Sequence, residues 1–260
     1  MAISMSTRLT GKTILITGAS SGIGRSTAYE FARTCPANLK LILAARRLNQ
    51  LESIATDIAK QVGNGVSVFP VELDVSNPDD IRSVLGKLPP DFRHIDILVN
   101  NAPIVKVDIM FATNVMGLIN MTQAILPVML QRNDGKGAGD IINIGSIAGR
   151  EPYIGGGIYC ATKAAVRSFT ESLRKELIDK RIRVISIDPG QVETEFSLVR
   201  FSGDKAKADA VYAGCEPLTA DDVAEAIVFA AGRRENVVIA DTLIFPNHQA
   251  AATIMHRKSG

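Results

Sequence analysis

The sequence predicts a doubly wound α/β protein, one parallel sheet covered on both faces by helices, and three features of the 260-residue chain lead there. Short runs of Val, Ile and Leu recur along the chain without an alternating polar face, as in strands buried on both sides. Helix-length amphipathic stretches separate them, so strand and helix alternate and each crossover should be right-handed. A glycine-rich turn within "TGASSGIG" (17–24) joins the first run to the first amphipathic stretch.

Seven strands are expected. They are "TILIT" (13–17), "LKLILAA" (39–45), "VSVFPVEL" (66–73), "IDILVNN" (95–101), "DIINIGS" (140–146), "IRVISIDPG" (182–190) and "VVIADTLIF" (237–245). Between them, Ser76 ahead of Pro78, Asp79 and Asp80 signals a helix start, because proline suits the first helical position and carboxylates suit the first turn. Thr219 and Asp222 match a capping box. Long helices are expected at 108–131 and 158–179, both richly apolar on one side. "NDGKGAGD" (133–140) reads as a polar turn, and no internal repeat or disordered linker interrupts the pattern. With 46% hydrophobic residues, the chain is read as a single domain over 1–260.

Composition excludes several function classes. Twenty-nine Lys and Arg against 27 Asp and Glu give a net charge of +2 and no block of like charge, so nucleic acid is not an expected partner. No apolar run is expected to approach the roughly 20 residues that cross a bilayer, and "MAISMSTRLTGK" lacks a hydrophobic leader core. Cys35, Cys160 and Cys215 are odd in number and far apart, which reads as reduced thiols in a cytoplasmic protein, with the nucleus also open. His94, His248 and His256 share no ligand spacing, and no metal is expected.

Gly18, Gly22 and Gly24 fall where the first strand turns into the first helix. The amides of a helix's first turn have no partner inside it, and glycine lets a pyrophosphate approach them without a Cβ in the way. A tight turn alone needs one glycine, not three. At the end of the second strand, where a carboxylate would bond the ribose hydroxyl of NAD, the chain carries Arg46 and Arg47. Guanidinium forks suit a 2′-phosphate, so NADP is the expected cofactor.

"YCATK" places Tyr159 and Lys163 four residues apart, on one face of a helix. A phenol with an ordinary pKa of about 10 needs a neighbouring positive charge to work near neutrality, and Lys163 and the nicotinium of the cofactor are expected to supply it. Ser146, at the end of a strand, offers a hydrogen bond to a carbonyl or alcohol oxygen.

These pieces, with NNA (100–102), TNV (113–115), GS (145–146) and PG (189–190), resemble the short-chain dehydrogenase/reductases over essentially the whole chain. The resemblance implies a Rossmann-type fold and a tetrad of Asn114, Ser146, Tyr159 and Lys163, with Tyr159 exchanging the proton. Asn114 would hold a relay water, and Lys163 would also bond the nicotinamide ribose. The glycine turn would contribute Ser20, Ser21 and Ile23 to the cofactor site, and Asp74 would lie near the adenine. Asn101, Ala102, Pro189, Gly190 and Val192 would line its path, with Thr194 at the carboxamide. In such enzymes a hydride passes between substrate carbon and nicotinamide. The two long helices and the C-terminal strand would pack between subunits of a homotetramer.

"LILAARR", "GSIAGREPY", "SLRKELI", "VETEFSLVRF" and "VIADTLIF" further resemble a branch of NADP-dependent 3-hydroxy acid and serine dehydrogenases that includes malonic semialdehyde reductases. Its substrates carry a carboxylate, for which Arg200 or Arg150 is the expected anchor. One departure stands out. After "NNA" the family has glycine and a longer loop, whereas Pro103 here leads into "PIVKVDIMFATNV" about a dozen residues early, roughly 18 Å of helix. Either a segment is missing from the recorded chain or the wall beside the nicotinamide is damaged. Two alternatives therefore stand beside the 3-hydroxy acid reading: a reductase of uncharged aldehydes or ketones, and a catalytically silent NADP-binding protein. Cys160 follows Tyr159 but points about 100° away around its helix, which suits packing.

Overall fold

The computed structural model describes residues 3–258. The elements run α1 (Met5–Leu9), β1 (Thr13–Thr17), α2 (Gly22–Thr34), β2 (Leu39–Ala45), α3 (Leu48–Val62) and β3 (Val66–Glu72). Then come α4 (Pro78–Lys87), β4 (Ile97–Asn100), α5 (Val107–Phe111), a π-turn (Ala112–Gly117), α6 (Leu118–Leu130) and β5 (Gly139–Ile144). The chain ends with α7 (Gly157–Glu176), β6 (Ile182–Pro189), α8 (Glu195–Arg200), α9 (Lys205–Ala210), α10 (Ala220–Ala231) and β7 (Asp241–Ile244).

All seven strands are parallel and lie in the order β3-β2-β1-β4-β5-β6-β7. The order reverses between β1 and β4, and the crevice outside the carboxyl ends of those strands is where such sheets bind ligands. Successive residues of β1 face opposite ways: Ile14 and Ile16 pack with Phe31, Leu51 and Ile227 beneath α2, α3 and α10, while Leu15 packs with Val84, Met121 and Ile125 beneath α4 and α6. Two cores thus clamp the sheet, which is why its strands read as unbroken apolar runs.

Three expectations shift. The helix start near Ser76 falls one residue later, because the Asn77 side chain accepts from the Asp79 amide while Ser76 bonds Asp74 instead. β7 is shorter than 237–245, since its register against β6 begins only at Asp241. The helical run Val107–Leu130 is, by length and composition alone, long and apolar enough to cross a membrane. It is placed as a core helix here, with Met121, Ile125 and Met129 fully enclosed against the sheet.

Candidate active site

β1 delivers the chain to Gly18 and Gly22, both in the left-handed region at φ +64° and +50°. A Cβ on Gly18 would lie 1.9 Å from the Asn101 carbonyl oxygen, so alanine there collides with β4's exit. Gly24 differs from expectation. Its Cβ would meet Asn101 Nδ2 and the Gly18 carbonyl at 2.5 Å, and it is absent from the crevice wall, so it seats α2 against the turn rather than admitting a ligand.

The α2 N-terminus carries no side-chain cap: Ser21 sits at the N-cap position without bonding the first turn. Its hydroxyl instead accepts from Arg47 Nη2 at 2.9 Å, while Ser20 Oγ accepts from Arg47 Nε at 3.2 Å and Nη2 at 3.0 Å. Arg46 is exposed beside them, and all four residues line one crevice of about 390 Å³ with Ile23. An uncapped helix start beside two left-handed glycines, with two guanidinium groups at the β2 end, fits a dinucleotide carrying an extra phosphate.

Other expected cofactor residues lie on the same wall. Asp74, Asn101, Ala102, Pro189, Gly190, Val192 and Thr194 all line the crevice. Asp74 Oδ1 accepts from both the amide and the hydroxyl of Ser76. Asn101 is tied to β1, its amide donating to Thr17 Oγ1 at 2.9 Å and its Nδ2 to Thr17 O at 3.3 Å. Thr194 caps α8 by accepting from the Phe196 amide, and its methyl would lie 3.5 Å from a Gly22 Cβ.

At the far end of the crevice stand Ser146, Tyr159 and Lys163. α7 carries both Tyr159 and Lys163, and the Lys163 ammonium lies 5.9 Å from the Tyr159 ring centroid. Its Nζ donates to Ile144 O at 2.8 Å, which ties α7 to the end of β5. Burial lowers the Lys163 pKa to about 8, opposed by the Asp188 carboxylate. Burial also pushes the Tyr159 phenol above its ordinary value; the Ser146 hydroxyl and the Arg200 charge pull it back, Tyr153 and Cys160 push it further. The phenol is therefore kept protonated in the cofactor-free protein.

A pH dependence follows from these two shifts. The buried ammonium keeps its charge below about pH 8 and loses it as pH rises through that value, while Tyr159 stays neutral. With NADPH varied, kcat/KM, which reports free-enzyme groups, should fall above about pH 8. Lys163→Arg, whose guanidinium does not titrate there, should remove that limb; a limb that persists unchanged belongs to another group.

Asn114 lies in the π-turn, but its side chain is already engaged. Oδ1 accepts from the Ile104 amide at 2.7 Å and Nδ2 donates to the Ile104 carbonyl at 2.9 Å, an arrangement that fixes the short connection after β4. The side chain is therefore a clamp on Pro103–Lys106 more than a water ligand. That connection does not plug the crevice: Ala102, Pro103 and Ile104 form part of its wall. Behind them, Lys163, Asn114, Asn100 and Thr113 line a cavity of about 20 Å³, enough for one water. Asn100 Oδ1 and Thr113 Oγ1, both on that lining, have no hydrogen-bond partner among the described residues.

Of the two proposed anchors, Arg150 is withdrawn from the crevice. Its Nε donates to buried Asp188 at 2.7 Å and its Nη2 pairs with Asp241, so the guanidinium joins β6 to β7. Arg200 is exposed at the end of α8, stacks at 5.5 Å on the Phe201 ring, and lies close enough to lower the pKa of both Tyr153 and Tyr159. Sequence reasoning missed Phe196, whose ring centroid is 5.5 Å from that of Tyr159, as well as Val199 and Glu195 on the same wall. Phe196 and Val199 stand at i, i+3 and Glu195 and Val199 at i, i+4, and this spacing behind Thr194 was the available signal. Among the described residues, no group of three or more His, Cys, Asp or Glu is arranged to hold a metal. Cys160 is buried, in keeping with packing.

Comparison with known proteins agrees with this geometry. Residues 12–204 match the family model described as short chain dehydrogenase. The chain is 54% identical to the NADP-dependent 3-hydroxy acid dehydrogenase of Schizosaccharomyces pombe, over 96% of this chain and 98% of that one. Their alignment runs over 263 positions, about a dozen of which have no counterpart in this chain. Sulfoacetaldehyde reductase 2 of Chromohalobacter salexigens is 41% identical over 91% of this chain and 95% of its own. Among solved structures, the closed form of a serine dehydrogenase complexed with NADP+ superposes with a TM-score of 0.83 at 37% identity, covering 94% of this chain and 99% of that one. Crevice, phenol–ammonium pair and glycine turn thus occur together in a chain that belongs to the short-chain dehydrogenase family.

Proposed function

We propose that this enzyme is an NADP-dependent oxidoreductase of short 3-hydroxy acids, interconverting the alcohol with its aldehyde or ketone. The observation that carries the reading is one crevice with Arg46 and Arg47 at one end and Ser146, Tyr159 and Lys163 at the other. The first pair suits the 2′-phosphate, the uncapped start of α2 the pyrophosphate, and Lys163 the nicotinamide ribose. When bound, the cofactor supplies or accepts the hydride at the substrate carbon.

The chain's own residues manage the oxygen and its proton. Ser146 Oγ orients the substrate oxygen toward Tyr159, whose protonated phenol donates during reduction and, as phenolate, takes the proton back during oxidation. Lys163, held in place through Ile144 O, supplies the positive charge that stabilises the phenolate once it forms. The small cavity has room for a single water, which would bridge this ammonium to Asn100 Oδ1. Phe196 closes over the Tyr159 ring and, with Val199, keeps the reacting end apolar.

Arg200 is the proposed partner for the substrate's carboxylate. Reduction of malonic semialdehyde should exceed that of propanal, an uncharged aldehyde of similar size. Arg200→Ala should raise KM for the acid about ten- to a hundredfold, the loss of one charge-assisted hydrogen bond, and leave propanal unchanged. Equal use of both aldehydes by the wild type favours the uncharged-carbonyl reading, and NADPH binding without turnover favours the silent one. Sulfoacetaldehyde serves as a third substrate, because a sulfonate presents the same charge to Arg200 in a bulkier group. Exposed Val107, Phe111, Met116 and Ile158, on and beside the long helices, supply the apolar faces for a homotetramer, which we place in the cytoplasm with its three cysteines unpaired.

A further inference from the structure

Arg47 is the best-anchored cation at the mouth of the crevice. Nε and Nη2 are spent on the Ser20 and Ser21 hydroxyls, which fix the guanidinium over the glycine turn. Its remaining nitrogen, Nη1, faces Glu195 Oε2 at 3.6 Å. Glu195 is the first residue of α8 and belongs to the opposite wall of the crevice, reached from β6 through Pro189 and Gly190. Among the described residues, this is the only ion pair between the 194–200 segment and the wall formed by β1, β2 and α2.

We propose that Glu195 is a cofactor-specificity residue: its carboxylate occupies the side of Arg47 that the 2′-phosphate of NADP requires, and the phosphate replaces it. This inference rests on the assignment of Arg47 to that phosphate. The two anions compete for one cation on unequal terms. A phosphate brings close to two negative charges and a hydrogen bond to Nη1, whereas the carboxylate brings one charge and at 3.6 Å makes a charge contact only. Both side chains are substantially exposed, at 45% and 61%, so water screens the pair and the exchange is easy. If Glu195 remains near the bound cofactor, its charge repels the phosphate. Competition and repulsion act in the same direction: Glu195 lowers affinity for NADPH and leaves NADH, which has no 2′-phosphate, untouched.

The exchange also links the two ends of the crevice. Glu195 is followed directly by Phe196, which packs on the Tyr159 ring, and α8 continues to Val199 on the same wall and to Arg200. A tether at the first residue of α8 thus holds the segment that shapes the substrate end, and arrival of the phosphate releases it. NADH would leave the tether in place.

The test is a set of binding measurements by NADPH and NADH fluorescence titration on the full-length protein, comparing wild type, Glu195→Gln, Arg47→Ala and the double variant. Glu195→Gln should tighten NADPH about three- to fivefold at low salt and leave NADH within about twofold, with the gain shrinking at high salt. In the Arg47→Ala background the same substitution should change NADPH binding by less than about twofold. An unchanged or weakened NADPH affinity in Glu195→Gln, or equal tightening of both nucleotides, overturns the proposal. Arg47→Ala alone tests the assignment beneath it: selective loss of NADPH keeps that assignment whatever Glu195 does, and equal loss of both nucleotides removes it.

Discussion

Tyr159→Phe is expected to lower kcat by about a thousandfold while NADPH binds within about twofold of wild type. The substitution removes one oxygen and keeps the ring, so the contact with Phe196 at 5.5 Å and the nearby Lys163 ammonium survive. Lys163 keeps its bond to Ile144 O, and the glycine turn and the arginines at the other end of the crevice are not touched. What disappears is the group that gives the proton to the substrate oxygen. Burial holds that phenol above its ordinary pKa, so the enzyme without cofactor is set to donate, and reduction of the carbonyl needs no prior ionisation. Single-turnover kinetics with preformed NADPH complex would separate chemistry from binding. Retention of a tenth or more of the wild-type rate would overturn the proton role.

The largest loss of stability is expected from Asp140→Ala, about 3–5 kcal/mol, or roughly 6–20 °C in Tm for a chain of this size. Asp140 at the start of β5 and Arg183 in β6 are each only 7% exposed. Arg183 Nε and Nη2 bond the two carboxylate oxygens at 2.6 Å. Nη2 also reaches the carbonyl of Ala231, at the end of α10, at 2.7 Å, and Nη1 that of Val237 at 3.1 Å. Removing the carboxylate leaves a buried guanidinium without its counter-charge, which costs more than the pair contributes. The double variant Asp140→Leu/Arg183→Met should recover much of the loss, because no unpaired charge remains. Calorimetry of the three proteins decides the matter: a double variant as unstable as Asp140→Ala would mean that the carbonyl contacts, not the charge, hold this corner. Since the pair is remote from the crevice, kcat well below the transition should not change.

The sheet was legible because strands buried on both faces must be apolar throughout, and runs such as "LKLILAA" have no other soluble use. Gly18, Gly22 and the Tyr159–Lys163 pair were legible for a related reason: each depends on backbone conformation or spacing within a few residues. Contacts between strands distant in sequence carry no such local mark. Nothing near Arg150 announces that Asp188 and Asp241 will claim it, and nothing near Asn114 announces the backbone of Ile104. Two arginines beside the site therefore read alike until the fold assigned one to the β6–β7 edge and left the other at α8. Burial was equally hidden: the depth at which the fold sets the Tyr159 phenol, which pushes its pKa up, has no local mark in the sequence.

The wide turn at Ala112–Gly117 has a geometric consequence for the whole long helix. A regular helix advances about 100° per residue, so one surplus residue rotates everything before it by that angle relative to everything after it. Eleven residues make about three whole turns, so Met110 in front of the turn and Met121 behind it would face alike in an uninterrupted helix; the wide turn sets them about 80° apart, and both are buried. Excising a single residue from 112–117 would restore the regular ladder of bonds and leave the two flanking segments facing as they do now. What the excision would disturb is Asn114 itself, which sits inside the wide turn, so the loop that borders the reacting end would lose its clamp at Ile104.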